Sequence, residues 1–130
     1  MGGRVMTERD ICLENYGWTV RCFLGYRRED SVCLCQALSE IGCKDDALRS
    51  AYTHFLAGSE DSGLTYSNVR ERVSVLAVGY DDDKASMVNT VGHELLHVVA
   101  HVCEEYSIDM LSEEPCYIMG RLCEEMYSII

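Results

Sequence analysis

The segment Val91–Val102 carries three histidines at intervals of four residues, His93, His97 and His101. Successive residues of an α-helix are separated by about 100°, so side chains four positions apart lie one turn apart on the same side. The apolar side chains of the segment share a different arc: Val91, Leu95, Val98, Val99 and Val102. A histidine that only fills a core would fall within that arc. The spacing therefore predicts a helix with a separate histidine stripe beside its buried face.

His93, Glu94 and His97 also form the pattern H-E-x-x-H. Two imidazoles one helical turn apart can bind a single Zn²⁺, and the glutamate between them can reach a water molecule on the metal. Zinc lowers the pKa of such a water to about 7, and a carboxylate can accept its proton during attack on a carbonyl group. The pattern predicts His93 and His97 as zinc ligands and Glu94 as a general base.

The other two histidines are expected to have different roles. A helix rises about 12 Å between positions 93 and 101, whereas ligand atoms on a tetrahedral zinc lie within about 3.5 Å of each other. His101 therefore cannot share an ion with both His93 and His97. We expect it to line the cleft, to form a hydrogen bond behind the ligands, or to pack. His54 lies alone in another segment and is interpreted as a surface histidine.

A third zinc ligand must come from another element, and two adjacent glutamates are candidates. Glu113 and Glu114 begin the last predicted helix, about sixteen residues after His97, which allows the chain to turn back. Glu113 is the favoured ligand, because its face of the last helix is the one most suited to packing on the histidine helix. That face also carries Cys116, Tyr117, Gly120 and Cys123. Alternatively, both glutamates only complement the dipole of their helix.

Stabilisation of the charge that develops on the attacked oxygen requires a hydrogen-bond donor opposite the metal. Tyr117 and Tyr66 are the candidates, although either could be a packed aromatic side chain.

The patterns along the chain predict an α+β fold in one domain, residues 1–130. A small antiparallel sheet of two or three strands is expected to pack against about four helices. A hairpin is predicted with its turn at Ser67 and Asn68. The predicted elements are a strand at 17–26, helices at 30–42 and 44–58, a short strand at 64–66, a β run at 70–80, a long helix at 81–108 and a last helix at 113–129.

Composition excludes several classes of function. The formal net charge of −11 disfavours nucleic-acid binding through a basic patch. No apolar run reaches the roughly 18 residues of a membrane span.

Eight cysteines without a C-x-x-C pair argue against a thiolate zinc site. The N-terminal segment lacks the apolar core of a signal peptide, so we expect reduced thiols and a cytoplasmic location. The pair Cys33 and Cys35 is expected to pack.

"HELLH", a following helix with a glutamate and a preceding valine-rich strand resemble the core of the zincin metallopeptidases, in particular the gluzincins with two histidines and one glutamate. Over Gly63–Gly120 the chain also resembles small zincin-like proteins of phages and mobile elements in gut bacteria. The segments that carry this resemblance are "GLTYSN", "VNTVGHELLHVVAHV" and "SEEPCYIMG".

The resemblance implies His93 and His97 as ligands, Glu94 as base and one glutamate of the 113–114 pair as third ligand. It also implies that the strand before the histidine helix, Arg72–Tyr80, holds an extended substrate by β-addition.

The expected function is therefore zinc-dependent hydrolysis of a peptide or other amide bond in the cytoplasm of a bacterial or phage-infected cell. One alternative is a catalytically inactive zincin-fold protein that binds a host partner, with a vestigial metal site. Another is a purely structural zinc.

Overall fold

The computed structural model describes residues 5–58 and 62–130. Four strands and four α-helices make up the described chain. Short 3₁₀ turns at 14–16 and 28–30 follow the first and second strands. The strands and helices, in chain order, are β1 (Thr7–Leu13), β2 (Trp18–Tyr26), α1 (Ser31–Glu40), α2 (Asp45–Ala57), β3 (Gly63–Asn68), β4 (Val73–Gly79), α3 (Lys84–Glu105) and α4 (Glu114–Tyr127).

The four strands form one sheet in the order β1-β2-β4-β3. Strand β2 is parallel to β4, whereas β1 with β2 and β3 with β4 are antiparallel. The α+β class is confirmed, but the expected antiparallel sheet of two or three strands is wrong. Helices α1 and α2 connect β2 to β3, which starts at the end of the sheet where β2 finishes. Strand β3 then runs back to the end where β2 began, so β4 is parallel to β2.

The strand missing from the prediction is β1. Its sequence, TERDICL, places three charged residues in succession and buries only Ile11 and Leu13. Charged side chains are typical of edge strands, where they prevent pairing with other chains. Because β1 therefore lacks a clear apolar alternation, its sequence does not resemble that of a strand.

The hairpin of β3 and β4 is confirmed, but its predicted turn is wrong. Ser67 and Asn68 pair with Ser74 and Val73 inside the strands. The chain turns instead at residues 69–72, where Arg72 N–H donates to the carbonyl of Val69 at 3.2 Å.

Both faces of the sheet are covered by helices, and each face has its own core. On one face, α3 and α4 pack over side chains that include Trp18, Val20 and Leu76. On the other face, α1 and α2 pack over Phe23 and Val75. Burial on both sides explains the nearly continuous apolar sequence of β4, VSVLAVG.

Strand β2 contributes side chains to both cores, with Trp18 on one face and Phe23 and Tyr26 on the other. A register shift between Leu24 and Tyr26 turns Tyr26 to the α1 and α2 side, with Phe23. The intervening Gly25 has a φ of 86°, a backbone conformation that favours glycine. The bulge thus redirects one large aromatic side chain to the second core.

Asp83 is the N-cap of helix α3, and its carboxylate accepts hydrogen bonds from the N–H groups of Ala85 and Ser86. Its apolar arc packs on the sheet, and α4 packs beside it. Within the described ranges, no helix combines the length and the apolar character needed to cross a membrane.

Candidate functional site

The histidine stripe of α3 lies beside the core, along β3. His93 and His97 are exposed, and their ring centroids are 5.0 Å apart. Two exposed imidazoles on successive turns of one helix are suitable as a pair of metal ligands.

Glu94 lies beneath the histidine pair and is only 5% exposed. Its Oε1 accepts a hydrogen bond of 2.7 Å from the hydroxyl of Thr65 on β3. Its Oε2 lies 3.9 Å from Nε2 of His93. Burial of a carboxylate is unfavourable unless hydrogen bonds or charges compensate for lost water. Glu94 is therefore held in a defined position next to His93 by the sheet.

Gly63 provides the space that Glu94 occupies. A Cβ atom at position 63 would lie 2.7 Å from Oε2 of Glu94 and 2.9 Å from its Cγ. Real Cβ atoms are not found so close to other heavy atoms. The start of β3 therefore needs glycine for close packing against this carboxylate.

Replacement of Gly63 by alanine is expected to lower the free energy of unfolding by about 1–3 kcal/mol, because Glu94 must move from its hydrogen bond. Gly92→Ala is the matched control, since a Cβ at 92 would meet nothing within 4 Å. In the interior of α3 it should raise stability by about 0.5–1 kcal/mol. Urea unfolding measures both changes. A Gly63→Ala protein as stable as the wild type would contradict the packing argument.

His54 reaches the same site from α2. Its Nε2–H donates a hydrogen bond of 2.9 Å to the carbonyl oxygen of Gly63. The residue is exposed, as predicted, but it is not isolated. It lines a cavity of about 320 Å³ together with Ser62, Gly63, Asn89, Thr90, His93 and Glu94.

Ser62, in one wall of this cavity, is held in place by Tyr26. The hydroxyl groups of Tyr26 and Ser62 are hydrogen-bonded to each other. Burial, and to a smaller extent the nearby Glu94 carboxylate, raise the pKa of Tyr26. Tyr26 is thus a neutral hydroxyl at neutral pH that supports Ser62 in the wall.

His101 contacts β3 one turn beyond His97. Its Nδ1 lies 2.6 Å from Oγ of Ser67. Burial, followed by the neighbouring His97, lowers the pKa of His101. The structure therefore shows His101 as a partly buried histidine that is hydrogen-bonded through Nδ1.

The glutamates at the start of α4 do not join the histidine pair. Oε2 of Glu114 accepts a 2.5 Å hydrogen bond from the hydroxyl of Tyr16. Tyr16 packs on Tyr106, about 180° around α3 from the histidines. Burial, with help from Glu114, raises the pKa of Tyr16 to about 12. Glu113, the N-cap of α4, is exposed at the same end of the helix.

The two tyrosines proposed as oxyanion donors also lie elsewhere. Tyr117 is 70% exposed and lines a different cavity, with Leu13 and Arg121. Tyr66 packs against the core on the α1 and α2 side of the sheet. Alternation along β3 explains this, because Thr65 and Ser67 take the side facing α3.

Of the zinc site expected from the sequence, the structure places two candidate ligands, His93 and His97, on successive turns of α3. Catalytic zinc sites usually have three protein ligands, and His93 and His97 fit two of these positions. In residues 5–58 and 62–130 there is no group of three or more His, Cys, Asp or Glu side chains arranged to hold a metal ion. The third ligand expected from Glu113 or Glu114 is not brought to the pair.

Strand β4 cannot hold a substrate by β-addition, so that expectation for Arg72–Tyr80 is wrong. It lies between β2 and β3 and has hydrogen-bonded neighbours on both sides. The edge strand beside α3 is β3, and all its residues are partly exposed.

Sequence reasoning missed the residues that surround the pair: His54, Ser62, Gly63 and Thr65. They lie about 30 to 40 positions before His93 and form no motif with it. The signal nearest to them is "GLTYSN", in which glycine begins a strand and two hydroxyl residues alternate with apolar ones.

No protein-family model matches this chain, and neither a curated protein nor a solved structure does.

Proposed function

We propose that this protein is a compact zincin-like hydrolase that binds Zn²⁺ through His93 and His97 and cleaves amide bonds in extended polypeptide segments. The observation that carries the proposal is the position of Glu94. It is a buried carboxylate with one oxygen fixed by Thr65 and the other near His93, at the wall of a cavity.

Zinc, when bound, supplies Lewis-acid polarisation of a carbonyl and an acidified water. Glu94 would be the proton acceptor in such a site, since Thr65 occupies its Oε1 and its Oε2 lies 3.9 Å from Nε2 of His93. With two protein ligands, we expect weaker metal binding than in a site with three.

Beyond Gly63, whose carbonyl oxygen accepts the hydrogen bond from His54, the edge of β3 supports an extended substrate. The N–H of Gly79 donates to the carbonyl of Ser62 at 2.8 Å, so position 62 faces β4. By alternation, the backbone groups of Thr65 and Ser67 face away from the sheet. A polypeptide added there by main-chain hydrogen bonds lies along the histidine stripe.

A reducing compartment, such as the bacterial cytoplasm, suits this proposal. All eight cysteines are free thiols, and those at 22, 43 and 103 are buried. Burial raises the pKa of the Cys22 thiol to about 12, which makes it unreactive.

Replacement of His97 by alanine is expected to weaken Zn²⁺ binding at least about tenfold, because one of two imidazole ligands is lost. Isothermal titration of metal-free protein with ZnCl₂ measures the change. Leu96→Ala is the control, since Leu96 is 52% exposed on the same helix and carries no metal-binding group. Equal zinc affinity of His97→Ala and the wild type would overturn the metal site.

A second candidate is a non-catalytic binding protein that keeps the zincin-like arrangement. The absence, among the described residues, of a third donor beside the histidine pair favours it. This protein would bind a polypeptide along β3 without cleaving it, and replacement of Glu94 would then leave its effect unchanged.

A further inference from the structure

A chain of hydrogen bonds runs from the core to the histidine stripe. Nε1 of Trp18 donates to Oγ of Ser74 at 2.9 Å. Oγ of Ser74 lies 2.7 Å from Oγ of Ser67, which lies 2.6 Å from Nδ1 of His101. The candidate metal site does not use this chain.

The buried end of this series of hydrogen bonds decides which group donates and which accepts in each bond. An indole N–H can only donate, so Ser74 accepts from Trp18. Ser74 is fully buried, and its own proton needs an acceptor. Among the described hydrogen bonds of Ser74, Ser67 is the partner that can accept. The opposite direction would leave a buried hydroxyl proton unpaired, which is unfavourable.

Ser67 therefore accepts a hydrogen bond from the hydroxyl of Ser74 and donates one from its own hydroxyl to Nδ1 of His101. A neutral imidazole has one donor and one acceptor nitrogen, so Nε2 of His101 carries the hydrogen. In this state neither nitrogen of His101 is available to a metal. The ring presents an N–H donor on the side away from Ser67.

We propose that His101 is a substrate-binding residue that donates its Nε2–H to a backbone carbonyl oxygen of an extended polypeptide bound along β3. This inference rests on the proposed function and deepens it. It assigns the residue a role different from that of His93 and His97, although all three share one stripe.

The spacing suits a backbone carbonyl of the substrate. His101 lies one turn beyond His97, a rise of about 6 Å, which matches about two residues of extended chain. Strand β3 runs in the same direction as α3, because Thr65 contacts Glu94 and Ser67 contacts His101. A polypeptide paired with β3 therefore passes both histidines.

The tautomer can be measured without substrate or metal. In ¹⁵N-labelled protein, NMR of the histidine rings should show His101 with a protonated Nε2 and an unprotonated Nδ1 at neutral pH. Ser67→Ala removes the donor to Nδ1 and should produce a mixture of tautomers. A protonated Nδ1 in the wild type would overturn the proposal.

Binding is tested with fluorescein-labelled casein, an unfolded polypeptide, by fluorescence anisotropy in the Glu94→Gln background, which prevents turnover. His101→Asn keeps an acceptor for Ser67 but has no donor at the place of Nε2, and should raise Kd about fivefold. His101→Gln places an amide N–H near Nε2 and should restore most of the affinity.

Equal affinities of the Asn and Gln variants would overturn the proposal, as would absence of casein binding by the Glu94→Gln parent. The experiments also distinguish failure of the proposed hydrolysis from failure of the proposed role of His101. If zinc titration and hydrolysis both fail while the Asn and Gln variants still differ in binding, the metal chemistry is wrong and the role of His101 stands.

Discussion

Replacement of Glu94 by glutamine is expected to reduce hydrolysis of labelled casein in the presence of zinc by about 10²–10⁴-fold, the usual contribution of a general base. Glutamine has nearly the same volume, and its amide oxygen can accept the hydrogen bond from Thr65. It cannot accept a proton from water. Since His93 and His97 are unchanged, zinc affinity should remain within about threefold of the wild type.

Glu104→Gln is the control for loss of one negative charge on α3, because Glu104 is exposed on the same helix. Its hydrolysis rate should equal that of the wild type. Full hydrolysis by Glu94→Gln would rule out the base. A wild-type protein that binds casein and zinc without cleavage would instead favour the binding protein.

Replacement of Trp18 by alanine is expected to lower the free energy of unfolding by about 3–5 kcal/mol. Trp18 is completely buried between the sheet and the helices α3 and α4. Alanine would leave a large cavity and would also remove the donor to Ser74. Urea unfolding followed by circular dichroism measures the loss.

Tyr117→Ala is the matched aromatic control. Tyr117 is 70% exposed, so its removal should change stability by no more than about 0.5 kcal/mol. Its hydrolysis rate should also be unchanged, because it lies away from the histidine pair. A stability loss for Trp18→Ala below about 1 kcal/mol would contradict the packing of this core.

The helices were predictable because their apolar residues recur at helical spacing. Helix α3 was expected at 81–108 and spans Lys84–Glu105, and α4 was expected at 113–129 and spans Glu114–Tyr127. The separate stripe of His93 and His97 follows from the same periodicity. Strand β1 was not predictable, since three successive charges mask its alternation.

The position of the expected third ligand could not be predicted from residues that are close in sequence. The short connection after α3 predicts that α4 packs beside α3, and this is confirmed. However, a connection of this length lets α4 pack on either side of α3, and the apolar residues of α4 and β1 select the side away from the histidines. Glu114 consequently meets Tyr16.

What the sequence by itself determined is the set of local relations: an H-E-x-x-H helix, its histidine stripe and the α+β class. These depend on residues a few positions apart, whose geometry the helix dictates. Tertiary structure alone decided what surrounds the stripe. Sheet order made β3 the edge, alternation turned Thr65 and Ser67 toward α3, and Gly63 made room for Glu94. Such contacts join residues about 30 positions apart, and their formation depends on how both cores pack on the sheet.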